Sequence, residues 1–229
     1  MRRSPNVTWQ EGLSRGQRWG ALGAPGATVW LTGLPASGKS TIGAALEERL
    51  VSAGRFAYLL DGDNLRHGIC GDLGFSADDR ERNISRVAEV AQLFADAGAV
   101  AIVALVSPIA SSRRTARRLH ERRGLRFIEV FVDTPLEVCA ARDPKHLYAR
   151  ARAGEIHGFT GVDDPYERPA EAELVLTDDV GPSAAVDAVL ELLEASDESA
   201  AGDRPAPPER QNPPVAPPGT TQRQNGVQR

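Results

Sequence analysis

The sequence is poor in cysteine and lysine and contains no long apolar run. Cys70 and Cys139 are its two cysteines, which excludes a disulfide framework or a cysteine-rich zinc site and suits a reducing compartment. The longest apolar run covers residues 99–106, far short of the ~20 residues of a membrane-spanning helix. The first residues carry charge but lack the apolar segment of a secretory signal. We therefore expect a cytoplasmic protein that does not bind a membrane.

The chain also lacks an excess of positive charge. It has 27 Lys and Arg against 31 Asp and Glu, a net charge of −4, which argues against a nucleic acid partner bound by bulk electrostatics. Hydrophobic residues make up 41% and charged residues 25% of the chain, close to the averages of globular proteins. With 229 residues, the chain is long enough for one domain and an appendage.

Three regions differ in composition. Residues 1–27 are polar and glycine-rich, and we expect an irregular N-terminal arm. Residues 28–195 have the patterning of a globular unit. Residues 196–229 carry seven prolines and no apolar periodicity, so this tail cannot bury enough surface to offset the entropy of ordering, and we expect it to be disordered.

Within the globular unit, short apolar runs alternate with helical patterns. The predicted strands cover residues 28–32, 56–60, 100–106, 127–132 and 173–176, and the clearest predicted helices cover 41–50, 79–97, 136–141 and 183–193. Alternation of this kind predicts an α/β fold, in which a five-stranded parallel sheet has helices on both faces.

A phosphate-binding loop follows the first predicted strand. The run fits the pattern G-x-x-x-x-G-K-[ST] and precedes a helix, as the chemistry requires. Its members are Gly33, Leu34, Pro35, Ala36, Ser37, Gly38, Lys39 and Ser40. The glycines let backbone N–H groups converge on a phosphate, Lys39 reaches the β- and γ-phosphates, and the Ser40 hydroxyl binds Mg²⁺. The sequence therefore predicts a site for a magnesium–nucleoside triphosphate.

Two carboxylates follow the second predicted strand. Asp61 and Asp63 should lie at the carboxyl edge of the sheet, where ligands of parallel sheets gather. In a small-molecule kinase, one carboxylate orients the metal and its water, and the other accepts the proton of the attacking hydroxyl. The alternative is that Asp-Gly-Asp is only a turn and a helix cap.

Arginines are dense after these carboxylates. Residues 63–86 contain Arg66, Arg80, Arg82 and Arg86, with Phe75 among them. Arginine forks suit phosphate or sulfate, and an aromatic face can stack on a base. A solvated basic helix face beside a core phenylalanine is the alternative. Residues 113–126 contain seven further arginines, which we interpret mainly as a solvated helix face.

Several motifs occur together in one order. They are the loop through Thr41, DGDNLR at 61–66, GFS at 74–76, Ser107-Pro108, EVFVDTPLE at 129–137 and GFTGVD at 158–163. With these motifs, residues 25–195 resemble the adenylylsulfate kinase family. The resemblance implies the P-loop NTPase fold and a reaction that uses ATP and Mg²⁺ to phosphorylate adenylylsulfate, in sulfate assimilation, to 3′-phosphoadenylylsulfate. It also implies a mobile lid over about residues 142–162.

The resemblance implies roles for individual residues. Lys39, Asp61, Asp63 and Ser107 would be catalytic, and Thr41 and Arg142 would join the phosphate-binding loop in contacting the nucleotide. The residues that would contact adenylylsulfate are Asp63, Asn64, Leu65, Arg66, Phe75, Arg80, Glu81, Arg82, Asn83, Val106, Ser107, Lys145, Gly158 and Phe159. Phe75 and Phe159 would sandwich the adenine, while Arg66 and Arg80 would hold the phosphosulfate.

Other functions remain open at this point. One is a kinase of the same fold that acts on another nucleotide-like or small-alcohol substrate. Another is a non-catalytic, nucleotide-dependent regulator that uses the tail for interaction, although the intact Lys39 argues against lost catalysis. For the oligomeric state of the protein, we consider a homodimer. For Ser107, a supporting hydrogen-bond role is favoured over a phosphoserine intermediate, because a serine nucleophile needs an adjacent base.

Overall fold

The computed structural model describes residues 8, 10 and 12–201 and contains a five-stranded parallel sheet. The strands are β1 (Ala27–Thr32), β2 (Ala57–Asp61), β3 (Val100–Ala104), β4 (Arg126–Asp133) and β5 (Leu174–Thr177). Their order in the sheet is β2-β3-β1-β4-β5, and every neighbouring pair is parallel. The expected α/β fold with a parallel five-stranded sheet is confirmed.

Helices connect the strands and cover the sheet. They are α1 (Arg15–Leu22), α2 (Lys39–Ser52), α3 (Gly62–Arg66), α4 (Ala77–Ala97), α5 (Ala110–Glu121), α6 (Leu136–Arg142), α7 (Leu147–Arg152) and α8 (Pro182–Ala201). Within the described residues, none of these helices combines the length and the hydropathy that a membrane span requires.

Strand β1 separates two apolar layers. All six of its residues are buried, and alternate side chains point to opposite faces of the sheet. Val29 and Leu31 pack with residues of α2 and α8, whereas Trp30 packs with residues of α4 and α5. Helices therefore cover both faces, and the buried central strand carries the phosphate-binding loop at its carboxyl end.

The N-terminal arm contains a helix where we expected irregular chain. Helix α1 begins at a capping box formed by Ser14 and Gln17. Arg18 forms an ion pair with Asp96, and the Trp19 indole donates to the Ala95 carbonyl at 3.1 Å. Short helices are marginal alone, so these contacts with the end of α4, which the local sequence does not reveal, hold α1 in place.

The other boundary also differs from the expectation. Helix α8 extends to Ala201, past the predicted end of the globular unit at residue 195. Ala185, Val189 and Leu193 of this helix are fully buried in the apolar layer on the α2 side of the sheet. Most of the tail that we expected to be disordered, residues 202–229, lies outside the described residues.

Helix α5 corrects the interpretation of the second arginine cluster. Arg114, Arg118, Arg122 and Arg123 are exposed, as expected for a solvated face. In contrast, Arg113 is buried in the same helix. Because periodicity places a residue on a helix face but does not identify the partner of that face, the sequence alone missed this buried cation.

His120 is a second buried polar residue of α5. Its Nδ1 lies 2.8 Å from the Ala116 carbonyl oxygen, and its Nε2 lies 2.9 Å from Thr28 Oγ1. A neutral ring satisfies both contacts by donating from Nδ1 and accepting at Nε2. Burial lowers the pKa of His120 below its ordinary value of 6.5, because desolvation disfavours the charged imidazolium.

This burial makes stability depend on pH. Below pH 6.5 the unfolded chain binds a proton that folded His120 resists, so the free energy of unfolding should fall as the pH drops from 7 to 5. One such group changes the free energy of unfolding by at most about 1.4 kcal/mol per pH unit. Urea titrations at several pH values should show a smaller fall for His120→Gln than for the wild type. Equal falls in the two proteins would contradict the assignment.

Candidate active site

A cavity of about 1120 Å³ lies at the carboxyl edge of the sheet. Its walls come from segments that follow the strands, and it gathers most of the residues singled out in the sequence. These are Pro35, Ala36, Ser37, Gly38, Lys39, Ser40, Thr41, Asp61, Asp63, Asn64, Arg66, Phe75, Arg80, Asn83, Val106, Ser107, Arg142, Lys145 and Phe159.

Six of the expected site residues do not line the cavity. They are Gly33, Leu34, Leu65, Glu81, Arg82 and Gly158. Leu65 is partly buried and packs against the apolar layer on the α4 side of the sheet. Glu81 and Arg82 lie exposed on the outer side of α4. Gly158 lies beside the cavity and contacts Arg80 through its carbonyl oxygen.

The phosphate-binding loop requires its two glycines for different reasons. A Cβ atom on Gly33 would lie 2.5 Å from the Val132 carbonyl oxygen, so the loop leaves β1 too close to β4 for any side chain. Gly38 has φ of 112°, a backbone conformation that favours glycine, and it caps the N-terminus of α2. The loop therefore brings backbone N–H groups to the positive end of α2.

Lys39 lies inside this loop with its ammonium group surrounded by neutral oxygens. Its Nζ donates to the carbonyl oxygens of Gly33 at 3.0 Å and Leu34 at 2.6 Å, and to Ser37 Oγ at 3.2 Å. Burial lowers the pKa of Lys39 to about 8, because desolvation outweighs the attraction of nearby anionic groups. An anion bound in the loop would supply the missing counter-charge.

The loop is braced by residues that the sequence analysis did not select. Thr134 Oγ1 donates to the Ser37 carbonyl at 2.8 Å, and Tyr148 donates its hydroxyl proton to the Pro35 carbonyl at 3.0 Å. Thr134 follows β4, so the rule that ligands gather at strand ends could have found it. The contact of Tyr148 with the loop could not be predicted from the sequence, because it depends on where α7 docks.

The two carboxylates after β2 have different environments. Asp61 Oδ2 accepts from Ser40 Oγ at 2.6 Å, and Asp61 Oδ1 accepts from the backbone N–H of Asp63 at 2.9 Å. Asp61 is thus the N-cap of α3, as the simpler interpretation held for this segment. The Asp63 carboxylate is largely exposed and forms an ion pair with Lys145.

An exposed aromatic ring lines the same cavity as the loop. Phe75 is 67% exposed, which argues against the alternative of a core phenylalanine. The Arg66 guanidinium lies 4.2 Å from the centre of the ring and is fixed by the carbonyl oxygens of Leu73 and Gly74. An open aromatic face beside a fixed cation suits a flat, negatively charged ligand.

Arg80 connects this ring to the segment that contains Phe159. It donates from Nε to the Phe75 carbonyl at 2.9 Å and from Nη1 to Thr160 Oγ1 at 2.8 Å, and Nη2 bonds the Gly158 carbonyl. The two aromatic residues of the predicted base site therefore lie on segments that one guanidinium joins.

Asn83 adds an unpartnered polar group to the cavity wall. It is 6% exposed, and its Oδ1 has no hydrogen-bond partner within the described residues. Buried polar atoms are nearly always paired, so this acceptor points to a bound ligand or water.

Ser107 lies in the connection of residues 105–109 between β3 and α5, which we call the Ser107 turn, and its hydroxyl group is used in hydrogen bonds within the protein. Its Oγ accepts from the Trp30 indole at 3.1 Å and donates to Thr32 Oγ1 at 2.8 Å. The backbone at Ser107 has φ of 39°, which is uncommon for a residue other than glycine. In this arrangement the hydroxyl helps to fix the turn, and its proton is held by Thr32.

The environment of Lys39 predicts a pH dependence of phosphate binding. An anionic phosphate binds the charged ammonium, so affinity should be full below pH 8 and weaken as the pH rises through that value, by up to about tenfold per unit. Calorimetry with a non-hydrolysable ATP analogue between pH 7.5 and 9.5 measures this. In Lys39→Met, binding should be at least tenfold weaker and flat over the same range. A wild type without pH dependence would contradict the interpretation.

Comparisons with known proteins found a matching family and similar sequences. A family model described as adenylylsulphate kinase matches residues 25–177. The adenylyl-sulfate kinase of Klebsiella pneumoniae is 52% identical over 194 residues, which cover 84% of this chain and 95% of that protein. The enzyme of the same name from Saccharomyces cerevisiae is 52% identical over 174 residues, with 76% and 86% covered.

A solved structure gives the same result. The APS kinase CysC of Mycobacterium tuberculosis, solved in complex with AMPPNP and APS, is 51% identical, with a TM-score of 0.73 over 75% of this chain and 99% of that one.

Proposed function

The chain belongs to the adenylylsulphate kinase family, and we propose that it transfers the γ-phosphoryl group of ATP to the 3′-hydroxyl of adenylylsulfate. The products are ADP and 3′-phosphoadenylylsulfate. One observation carries the proposal: the same cavity is lined by a phosphate-binding loop and by an exposed aromatic ring with a fixed arginine. A phosphoryl donor and an aromatic, anionic acceptor would therefore meet in the same space.

A coupled assay of ADP release tests this function directly. The wild-type enzyme should release ADP with adenylylsulfate at a rate far above the rate with ATP alone. Other nucleotides and small alcohols form the comparison panel, since a kinase of the same fold could take them. Faster release with one of those acceptors would replace the proposed substrate, and no release with any acceptor would favour a non-catalytic regulator.

The donor side would hold ATP through the loop and Lys39. The loop amides and the N-terminus of α2 would bind the phosphates, with Arg142 beside them. Lys39 would exchange its bonds with loop carbonyls for phosphate oxygens, so that its charge stabilises the transferring group.

The residues near Ser40 fit a magnesium ion. The Ser40 hydroxyl and the Asp61 carboxylate are hard oxygen donors that lie 2.6 Å apart beside the loop. Mg²⁺ is usually bound by one or two such groups together with substrate phosphates and water. We propose that Ser40 and Asp61 would hold the ion. When bound, it neutralises charge on the phosphates during transfer.

The acceptor side would bind adenylylsulfate between aromatic and cationic groups. Phe75 and Phe159 would contact the adenine, while Arg66 would face the phosphosulfate. Arg80 has N–H groups bonded to both aromatic segments, which supports a role in holding the base site together. Asn83 would offer its unpaired Oδ1 to the same ligand.

The segment of residues 142–162 would act as a lid. Tyr148 contacts the loop at the Pro35 carbonyl, and Arg80 contacts the segment at Gly158. Closure over both substrates would exclude water, which otherwise hydrolyses ATP without phosphorylating the acceptor.

The protein would act in the cytoplasm as a homodimer. Tyr58 of edge strand β2 and Leu93 of α4 are exposed apolar residues, and Tyr58 stacks on Phe94, the neighbour of Leu93; a second copy of the chain would cover this surface. A monomeric mass in sedimentation equilibrium would contradict the dimer.

The different environments of the two carboxylates predict which one is the base. Asp63 has an exposed carboxylate in the cavity, so it would accept the 3′-hydroxyl proton. Asp63→Asn keeps the shape and should slow single-turnover transfer by about 10²–10⁴-fold. Asp61→Asn, which retains an N-cap, is measured beside it to rank the two residues. If Asp63→Asn keeps more than a tenth of the wild-type rate, Asp63 is not the base.

The hydroxyl network of Ser107 predicts a direct transfer. Because the hydroxyl is held by Trp30 and Thr32, Ser107→Ala should lose about tenfold in rate, as expected for one hydrogen bond of roughly 1–1.5 kcal/mol. ATP with a chiral γ-phosphate should show inversion at phosphorus. Retention, together with an inactive Ser107→Ala variant, would instead establish a phosphoserine intermediate.

A further inference from the structure

A buried arginine joins three separate parts of the chain beside the cavity. Arg113 of α5 exposes 2% of its side chain. It donates from Nε to Glu129 Oε1, from Nη1 to the Ser107 carbonyl and from Nη2 to the Glu167 carbonyl, each at 2.7 Å. One planar group thus connects strand β4, the turn after β3 and the segment that follows the proposed lid.

The charge of Arg113 is balanced within a small network. Glu129 also pairs with Arg117 at 3.4 Å, and Arg117 pairs in turn with Glu173 at 2.6 Å. Two arginines and two glutamates leave no net charge in this cluster, which extends from buried Arg113 to exposed Glu173. Any cation could pair with Glu129. Arg113 also holds two carbonyl groups, and contact with all three partners at once requires the fixed fork of a guanidinium. Lysine, with its donors on one nitrogen, cannot reach all three partners.

The Ser107 turn has a conformation that needs such support. A non-glycine residue with φ of 39° is strained, and such strain persists only where the surroundings fix the backbone. Arg113 holds the carbonyl group of Ser107, while Trp30 and Thr32 hold its hydroxyl group. Ser107 lines the cavity, so the position of this turn shapes the site.

The segment of residues 163–168 connects the same anchor to the proposed base site. Glu167 donates its N–H to the Pro108 carbonyl at 2.9 Å, and Tyr166 bonds Thr32 Oγ1 through its hydroxyl at 2.9 Å. A few residues earlier, the Asp163 carboxylate accepts from the backbone N–H of Phe159 at 2.6 Å. The turn and the aromatic wall of the acceptor side are therefore fixed to one another through this segment.

We propose that Arg113 is a positioning residue for the acceptor side of the site. It sets the Ser107 turn and, through residues 163–168, the position of Phe159, without touching either substrate. The inference rests on the proposed function, because it concerns where adenylylsulfate binds. Tyr148, which braces the nucleotide loop, contacts the Phe159 ring edge-on, but Thr134 supports the loop from the end of β4, so the main effect should fall on the acceptor.

The test compares two lysine substitutions in the same charged network. Arg113→Lys keeps the charge opposite Glu129 but loses the fork, and KM for adenylylsulfate should rise about tenfold, while KM for ATP changes by less than about twofold. Arg117→Lys is the matched control, because Arg117 contacts Glu129 and Glu173 and neither Ser107 nor Glu167. Both of its KM values should stay within about twofold of the wild type.

A spectroscopic measurement reports the turn without relying on activity. The Trp30 indole donates to Ser107 Oγ, so its N–H signal in a ¹⁵N–¹H correlation spectrum should shift in Arg113→Lys and not in Arg117→Lys. If Arg113→Lys does not fold, the Tyr166→Phe variant replaces it in the KM measurements. It keeps the ring stacked on Phe131 and removes the bond to Thr32, and it should raise KM for adenylylsulfate selectively.

The outcomes separate this proposal from the proposed function. A selective rise in KM for adenylylsulfate together with the Trp30 shift supports positioning by Arg113. An equal rise in both KM values overturns the proposal, because it indicates a general loosening of the site. An unchanged Trp30 signal also overturns it, because Arg113 then does not set the Ser107 turn. A wild-type enzyme that releases no ADP with adenylylsulfate overturns the proposed function instead, and the Trp30 signal still tests the geometry.

Discussion

The pairing of β1 with β3 and β4 is the constraint on which the site depends. Leu31 lies opposite Ala104 on one side and Val130 on the other, so β1 and β3 end near one level of the sheet, and β4 continues to Asp133 at the same edge. Because the strands are parallel, the chain leaves each of them toward the same edge. The phosphate-binding loop, the Ser107 turn and Thr134 consequently meet around one cavity, although Thr134 lies 102 positions after Thr32 in the sequence.

Two buried cations are stabilised in different ways around this edge. Arg113 has a carboxylate partner and two carbonyl partners, which suits a permanent structural charge. Lys39 has carbonyl and hydroxyl partners, and its lowered pKa records the cost of burial without a direct counter-ion. The proposed roles account for the difference: a charge that is to receive phosphate oxygens cannot already be satisfied by a carboxylate, whereas a charge that fixes backbone can be.

Sequence reasoning predicted the features that depend on local patterns. The five strands, the long helix α4 and the phosphate-binding loop all follow from short-range periodicity and glycine placement, and the structure confirms them. It missed α1, the burial of Arg113 and the brace from Tyr148. Arg113 is 16 residues from Glu129 and 54 from Glu167, and the Trp19 indole bonds a carbonyl 76 residues away. Local patterns describe one helix or strand at a time, so they do not identify a partner in another element.

The sequence by itself determined the fold class and the chemistry of the donor side, because a phosphate-binding loop needs glycines, a lysine and a helix start in immediate succession. Only the tertiary structure decided which of two adjacent carboxylates caps a helix and which stays exposed, and which arginine of a basic helix is buried. The physical reason is that burial and pairing are properties of contacts between elements. Residue types set what Asp63 and Arg113 can do, and packing sets what each of them faces.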